Sequence, residues 1–310
     1  MTAEQEPTTA DPAVPPDFRF GYVAICGEPN VGKSTLLNAI LGERLAIATP
    51  KPQTTRRRTL GILTTATAQM VFVDTPGILE PRYALQKAMM RVVDSAIRDA
   101  DVLLLVVDVR HPGIAPGVAI ASRRKPLVVA LNKADLLHRA EESLPEIERI
   151  RNEVPGADVF VISARKEHGL PALVEHLGRL LPLGPPAYPA DELTQHPERF
   201  FVAEMIREAV FTQFQQEVPY STEVELEEFK ERPGGKDYIA ATLFVESDTQ
   251  KAILIGKGGT AIRALGEAAR GEIEAFLGRP VFLALRVAVM PHWRKSPRAL
   301  RRFGYGPGSA

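Results

Sequence analysis

Sulfur is scarce in this chain. One cysteine, Cys26, stands among 310 residues, so no internal disulfide and no cysteine-based metal site can form. At the end of an apolar run, Cys26 reads as a small buried residue rather than a reactive thiol. Long apolar runs are also missing. The stretch Val102 to Val107 is closed off by Asp101 and Asp108, far short of the ~18 residues that a membrane span requires. The segment up to Asp17 has neither Lys nor Arg nor an apolar core, so no signal peptide is expected there and a cytoplasmic address is. The six histidines show no H-x-x-x-H or H-E-x-x-H spacing, which argues against a zinc site of that kind. Net charge is zero, with 38 basic and 38 acidic residues. Its distribution is uneven: from Lys251 onward eleven Lys and Arg face three acidic residues, a pattern that suits a polyanionic partner.

What is present points to about two folding units. Residues 1–18, rich in Pro, Thr and acid, bury too little to fold and are expected to be a disordered extension. Next comes Gly27-Glu28-Pro29-Asn30-Val31-Gly32-Lys33-Ser34 followed by Thr35, which fits the phosphate-loop pattern G-x-x-x-x-G-K-[ST]. It lies between a strand-like run, Gly21 to Cys26, and helically spaced apolar residues, Thr35 to Leu41, stopped by Gly42. Backbone amides and the helix N-terminus would cradle phosphates, Lys33 would reach the β and γ groups, and the Ser34 hydroxyl would ligate Mg²⁺. The Thr/Arg-rich segment Gln53-Thr54-Thr55-Arg56-Arg57-Arg58 reads as a mobile loop offering Thr54 or Thr55 to the metal. The strand Met70 to Val73 ends in Asp74-Thr75-Pro76-Gly77-Ile78, where Asp74 would hold Mg²⁺ and the Gly77 amide would approach the γ-phosphate. A further strand ends in Asn132-Lys133-Ala134-Asp135. The Asp135 carboxylate would accept the two N–H donors of guanine that adenine lacks, Asn132 would brace the loop, and the Lys133 stem would cover the base. After the strand Asp158 to Ile162, a backbone amide of Ser163-Ala164-Arg165 would meet the guanine carbonyl. Alternating strands and helices predict a doubly wound, mostly parallel α/β sheet over 19–181, with ligands at the strands' carboxyl ends.

Five prolines between Pro182 and Pro197 mark a semi-rigid linker over 182–197. A smaller α+β unit is expected over 198–292, in the order α-β-β-α-[GxxG]-α-β of a type II KH domain. Its loop, Ile255-Gly256-Lys257-Gly258-Gly259, and the nearby Arg263 would meet RNA phosphates beside an apolar groove for about four nucleotides. In the basic tail, 293–310, Trp293 is expected to stack on RNA, or equally to pack, with Arg294 and Lys295 neutralising the strand.

From about Gly21 to Tyr305 the chain resembles the Era family of bacterial GTPases. The resemblance is carried by GEPNVGKS at 27–34, KPQTTRRR at 51–58, DTPGI at 74–78, NKAD at 132–135, SAR at 163–165 and the IGKGG loop with the tail after it. It implies a monomeric, GTP- and GDP-binding switch that hydrolyses GTP with Mg²⁺. It further implies binding near the 3′ end of 16S ribosomal RNA, help in maturation of the 30S subunit, and a loose contact with the inner face of the cell membrane. Arg165 stands where Lys is commoner. Ile78 occupies the position where Ras-like enzymes place a water-orienting glutamine, so intrinsic turnover is expected on the order of 10⁻² per second or less. The arginines at 56–58 are candidates for an in-chain finger. In related GTPases without the glutamine, an asparagine at the place of Asn30 helps to bind K⁺, which implies Asn30 in catalysis beside Lys33, Thr54, Thr55 and Gly77. Two other readings fit parts of the pattern: a P-loop ATPase or kinase with a lid domain, and an RNA-binding protein with an idle nucleotide site.

Overall fold

The computed structural model describes residues 15–111, 118 and 124–306. Nearly all of the extension expected over 1–18, and the end of the tail, lie outside them.

The first layer system follows from its apolar runs. Its elements are β1 (Arg19–Cys26), α1 (Lys33–Leu41), β2 (Thr59–Thr64), β3 (Ala68–Asp74), α2 (Ala84–Asp99), β4 (Val102–Asp108), β5 (Leu127–Asn132), α3 (Leu144–Glu153), β6 (Asp158–Val161) and α4 (Leu170–Leu180). The sheet order is β2-β3-β1-β4-β5-β6, with β2 antiparallel to β3 and the other pairs parallel. Every residue of β3, β4 and β5 is buried, as continuous Val/Leu/Ile runs require when helices cover both faces. The parallel register brings the ends of β1, β3, β4 and β5 to one edge, where Cys26, Asp74, Asp108 and Asn132 stand. The motif-bearing loops therefore converge.

The second system contains α5 (Glu198–Gln213), α6 (Val218–Ser221), β7 (Glu223–Lys230), β8 (Asp237–Val245), α7 (Asp248–Ile255), α8 (Thr260–Leu277), β9 (Val281–Val289) and, in the tail, α9 (Pro297–Arg302). Its sheet runs β7-β8-β9, antiparallel then parallel, which is the expected α+β order. The first helix of this unit stops at Gln213, because Phe214 is extended and Gln216 adopts φ 54°. Pro219 then lies in the first turn of the short α6, where its missing N–H costs nothing.

The proline-rich connector is laid along the first sheet. Ile62 N donates to Leu193 O at 2.8 Å, and the Thr194 hydroxyl donates to Leu60 O at 2.7 Å. Gln69 Oε1 accepts from the amides of Ala187 and Tyr188. The free edge of β2 is thus partly covered.

The tail decides between the two expectations for Trp293. Trp293 is fully buried and clusters with Leu85 and Met89 of α2, Phe244 of β8, and Leu300, Phe303 and Tyr305. Its indole N–H donates to Ser221 O at 2.7 Å. A ring with no exposed face is no stacking platform; burying it against both sheet systems outweighs leaving a large apolar surface in water. Arg294 is likewise engaged, paired with Glu246 and lying 5.4 Å over the Tyr83 ring. Lys295 alone of the three is exposed.

Candidate functional site

The phosphate loop needs a left-handed residue before α1, and Gly32 supplies it at φ 100°. A Cβ there would come within 2.4 Å of Asn132 Nδ2, so the loop closes tightly on the guanine motif only with glycine. Lys33 is buried, and its ammonium donates to Gly27 O (3.1 Å) and Glu28 O (2.8 Å). Burial holds its pKa below the usual lysine value against the opposing pull of Asp74.

Three oxygens meet beside it. Ser34 Oγ lies 2.7 Å from Asp74 Oδ2 and 2.9 Å from Thr55 Oγ1, which is itself 3.4 Å from Asp74 Oδ2. Burial pushes the Asp74 carboxyl up to about 6, although Lys33, Ser34 and Thr55 favour its charged form. Asp74 Oδ1 is buried without a partner among the described residues. A buried carboxylate oxygen with no donor, next to two hydroxyls, fits a hard divalent cation. The hydroxyl brought to this cluster is that of Thr55; Thr54 is buried beside it. Gly77 packs on Pro29 so closely that a Cβ would lie 2.7 Å from its backbone nitrogen. The Ile78 amide donates to Gly27 O, while its side chain joins the apolar core and offers no group to orient water. Asn30 Nδ2 donates to Pro50 O at 3.0 Å. The cavity among these groups measures only about 40 Å³, roofed by 47–49 and 53–55. Gln53, at φ 59°, belongs to that roof and was not anticipated.

At the base end, Asn132 ties two loops together: Nδ2 donates to Val31 O (2.8 Å) and Oδ1 accepts from Ala164 N (2.9 Å). The Ala164 amide is therefore engaged by Asn132. Asp135 is exposed rather than buried and accepts from the Ser163 hydroxyl at 2.5 Å, which orients it. Lys133, at φ 67°, stretches across the phosphate loop to Asn30 O (2.6 Å) and Asp108 Oδ2 (2.8 Å). Burial would raise the Asp108 carboxyl, but hydrogen bonds from Arg110 and Lys133 outweigh it and hold the carboxyl at about 2. Asp108 was missed from sequence, although an acidic residue at the C-terminal end of a buried strand was a usable signal.

The Thr/Arg loop is docked on the second system. Arg56 is buried and donates to Glu223 Oε2 (2.8 Å) and to the carbonyls of Pro219 (3.0 Å), Tyr220 (2.9 Å) and Thr222 (2.7 Å). Arg57 joins the other Glu223 oxygen at 3.1 Å, and the Tyr305 hydroxyl donates to Glu223 at 2.8 Å. Lys51 reaches the carbonyls of Phe211 and Phe214 at the end of α5, where the helix dipole favours a cation. Arg44 bridges Glu208 and Glu272. Arg56 and Arg57 are thus engaged away from the phosphates, which corrects their candidacy as catalytic fingers in this arrangement.

On the second system, Gly258 and Gly259 take φ 61° and 78°, and nothing stands within 4 Å of a Cβ at either. The loop is open to a ligand and conformationally reserved for glycine. Beside it runs a groove of about 430 Å³ lined by Ile262, Arg263, Arg270, Lys236 and Phe282. Phe282 is 55% exposed and stacks on Tyr238 with ring centroids 5.8 Å apart and planes 10° apart. Sequence reasoning offered Trp293 as a stacking or a packing residue; the exposed aromatic beside this groove is Phe282, hidden in the sequence because it alternates with core residues along β9.

Among the described residues no helix is long and apolar enough to cross a membrane. Two family models match: one described as 50S ribosome-binding GTPase over residues 22–133, and one described as KH domain over 217–294. The GTPase Era of Geobacter metallireducens is 46% identical over 293 residues, covering 93% of this chain and 98% of its own. A chloroplastic ERA-like GTPase of Oryza sativa is 42% identical over 94% of this chain and 70% of its own. Among solved structures, an Era variant of Aquifex aeolicus bound to GDP and aluminium fluoride superposes with a TM-score of 0.88 at 38% identity, over 93% of this chain and 100% of its own. An Era complex with MgGDPNP and nucleotides 1506–1542 of 16S ribosomal RNA gives the same TM-score and identity over 93% and 99%. With both folds, the connection between them and the motif loops shared over nearly its whole length, the chain belongs to the Era family and is a GTP-hydrolysing enzyme.

Proposed function

We propose that this GTPase is a nucleotide-gated RNA-binding factor that engages the 3′ end region of 16S rRNA and assists maturation of the 30S subunit. One observation carries the proposal: a single segment, 51–57, supplies Thr55 to the magnesium-site oxygens and Lys51, Arg56 and Arg57 to the unit that bears the GxxG groove. Ordering that segment on a γ-phosphate must strain or release its other attachments, so nucleotide state and RNA surface are energetically linked. The small-subunit assignment is supported by the relative solved with 16S RNA nucleotides. The membrane contact rests on the family resemblance alone and forms no part of the proposal.

In this scheme 19–181 is the nucleotide domain, 182–197 the linker and 198–292 the RNA domain. The loop 27–35 and Gly77 bind the phosphates, while Asn132, Lys133, Asp135 and the 163–165 loop bind guanine. Ser34, Thr55 and Asp74 would hold Mg²⁺, whose charge would offset the negative charge gathered on the phosphates. Lys33 supplies a second cation, and the apolar Ile78 leaves the attacking water without a side-chain guide, hence slow turnover. Asn30 would instead help to hold K⁺ near the phosphates. Single-turnover hydrolysis should then run at least severalfold faster in K⁺ than in Na⁺ buffer; equal rates would remove Asn30 from catalysis.

RNA binding measured with GDP and with a non-hydrolysable GTP analogue tests the main proposal. The two affinities are expected to differ by about tenfold, in the range of ordinary coupling energies. Gly258→Asp with Gly259→Asp should abolish binding in both states, since it places two carboxylates where RNA phosphates must lie. Equal affinity in all arms would defeat the switch.

A further inference from the structure

A cavity of about 560 Å³ separate from both sites lies where the 56–58 segment, α2 and the end of the tail meet. Five arginines line it: Arg56, Arg57 and Arg58 from the loop, and Arg91 and Arg98 from α2; Arg56 is already paired with Glu223. Among the described residues no acidic side chain lines it. Arg58 and Arg91 have no ion-pair partner among the described residues, and Arg98 has only a long exposed contact of 3.6 Å to Asp99. Three nitrogens at this cavity, Arg57 Nε, Arg58 Nε and His196 Nε2, are buried with no hydrogen-bond partner among the described residues. Such orphans are uncommon in folded proteins and call for an account. The rest of the lining is apolar: Ala88, Val92, Pro197 and Phe200, the last stacked on His196 with ring centroids 4.2 Å apart. Burial, and then the charge of Arg58, hold His196 below its usual pKa; an anion at this place would reverse the second effect.

Converging guanidinium groups beside a flat apolar wall, in a cavity of the size that takes small organic ligands, have a definite chemical complement. We propose that this cavity is a second ligand site, which takes a small organic phosphate, its phosphate on Arg58, Arg91 and Arg98 and its flat ring against Phe200 and Val92. The site is assembled only while the 56–58 segment is docked. An occupant would therefore tie that segment to α2 and slow the opening that lets nucleotide leave, a coupling through shared structure rather than shared contacts.

The probe is 5′-AMP, whose adenine the guanine site rejects, added to the full chain loaded with Mg²⁺ and GDP. Direct binding is read by calorimetry and GDP release by a fluorescent analogue. AMP is expected to bind and to slow GDP release severalfold, while adenosine, lacking the phosphate, does neither. Arg91→Glu and, separately, Arg98→Glu should each weaken AMP by about tenfold or more, since a charge beside the ligand is reversed, with the unfolding midpoint unchanged at these exposed positions. No AMP binding up to about 10 mM, where any built site of this size should respond, would overturn the proposal. So would AMP binding that both variants leave untouched.

Discussion

Arg56→Ala is expected to lower the unfolding free energy by about 3–5 kcal/mol, the usual cost of removing one partner from a buried ion pair. Glu223 stays behind, 2% exposed, and three backbone carbonyls lose their donor at once. Arg57 and the Tyr305 hydroxyl still touch Glu223, which places the loss toward the lower end of that range. Urea unfolding measures it. The same change should speed GDP release, because this side chain makes the most bonds, four, of the three (Lys51, Arg56 and Arg57) that attach the segment roofing the phosphate cavity to the second system. If about 1.4 kcal/mol of the docking energy opposes opening, release accelerates about tenfold. Arg56→Lys keeps the charge but loses the planar fork and should fall between. A variant that loses stability while its release rate stays native would show that the docking is structural and carries no signal to the nucleotide.

Asp135→Asn is expected to weaken GTP and GDP on the order of 10³-fold or more, the scale at which a site built to hydrogen-bond its ligand rejects a mismatch. The substituted amide presents a donor to the guanine N1 and N2 donors, so donors face donors. Xanthine nucleotide, which carries a carbonyl at position 2, should gain affinity in the variant and bind poorly to the native chain. Because Asp135 is exposed and held by Ser163, the change should leave unfolding nearly unaltered, within the ±0.5 kcal/mol typical of surface positions. Competition binding with GTP, xanthosine triphosphate and ATP provides the measurement. Unchanged GTP affinity would mean that Asp135 does not read the base, and would revive the ATPase reading with a lid domain.

The residues that face a nucleotide were legible in the sequence because their geometry is local. A phosphate loop is eight consecutive residues between a strand and a helix, and each guanine or magnesium motif sits at one strand's end. The docking of Arg56 was not legible, since its partners lie more than 160 residues away and three of the four bonds go to backbone carbonyls, which any sequence supplies. Thr55 rather than Thr54 became apparent only once the loop's path over Asp74 was known. Which of the two readings of Trp293 holds was not legible for a related reason. Its basic neighbours suggest a free tail, while much of the apolar surface that buries it comes from α2 and β8, far away along the chain. Phe282 went unnoticed because a strand shows which residues alternate but not which face is left bare when only one side of its sheet is covered by helices.

The burial of Trp293 gives the molecule an internal optical gauge. It is the chain's single tryptophan, it sits where the tail, α2 and β8 close together, and its ring lies 5.8 Å from the Arg56 guanidinium. Indole emission reddens as water reaches the ring, so parting of the two halves writes itself into the native spectrum without any attached dye.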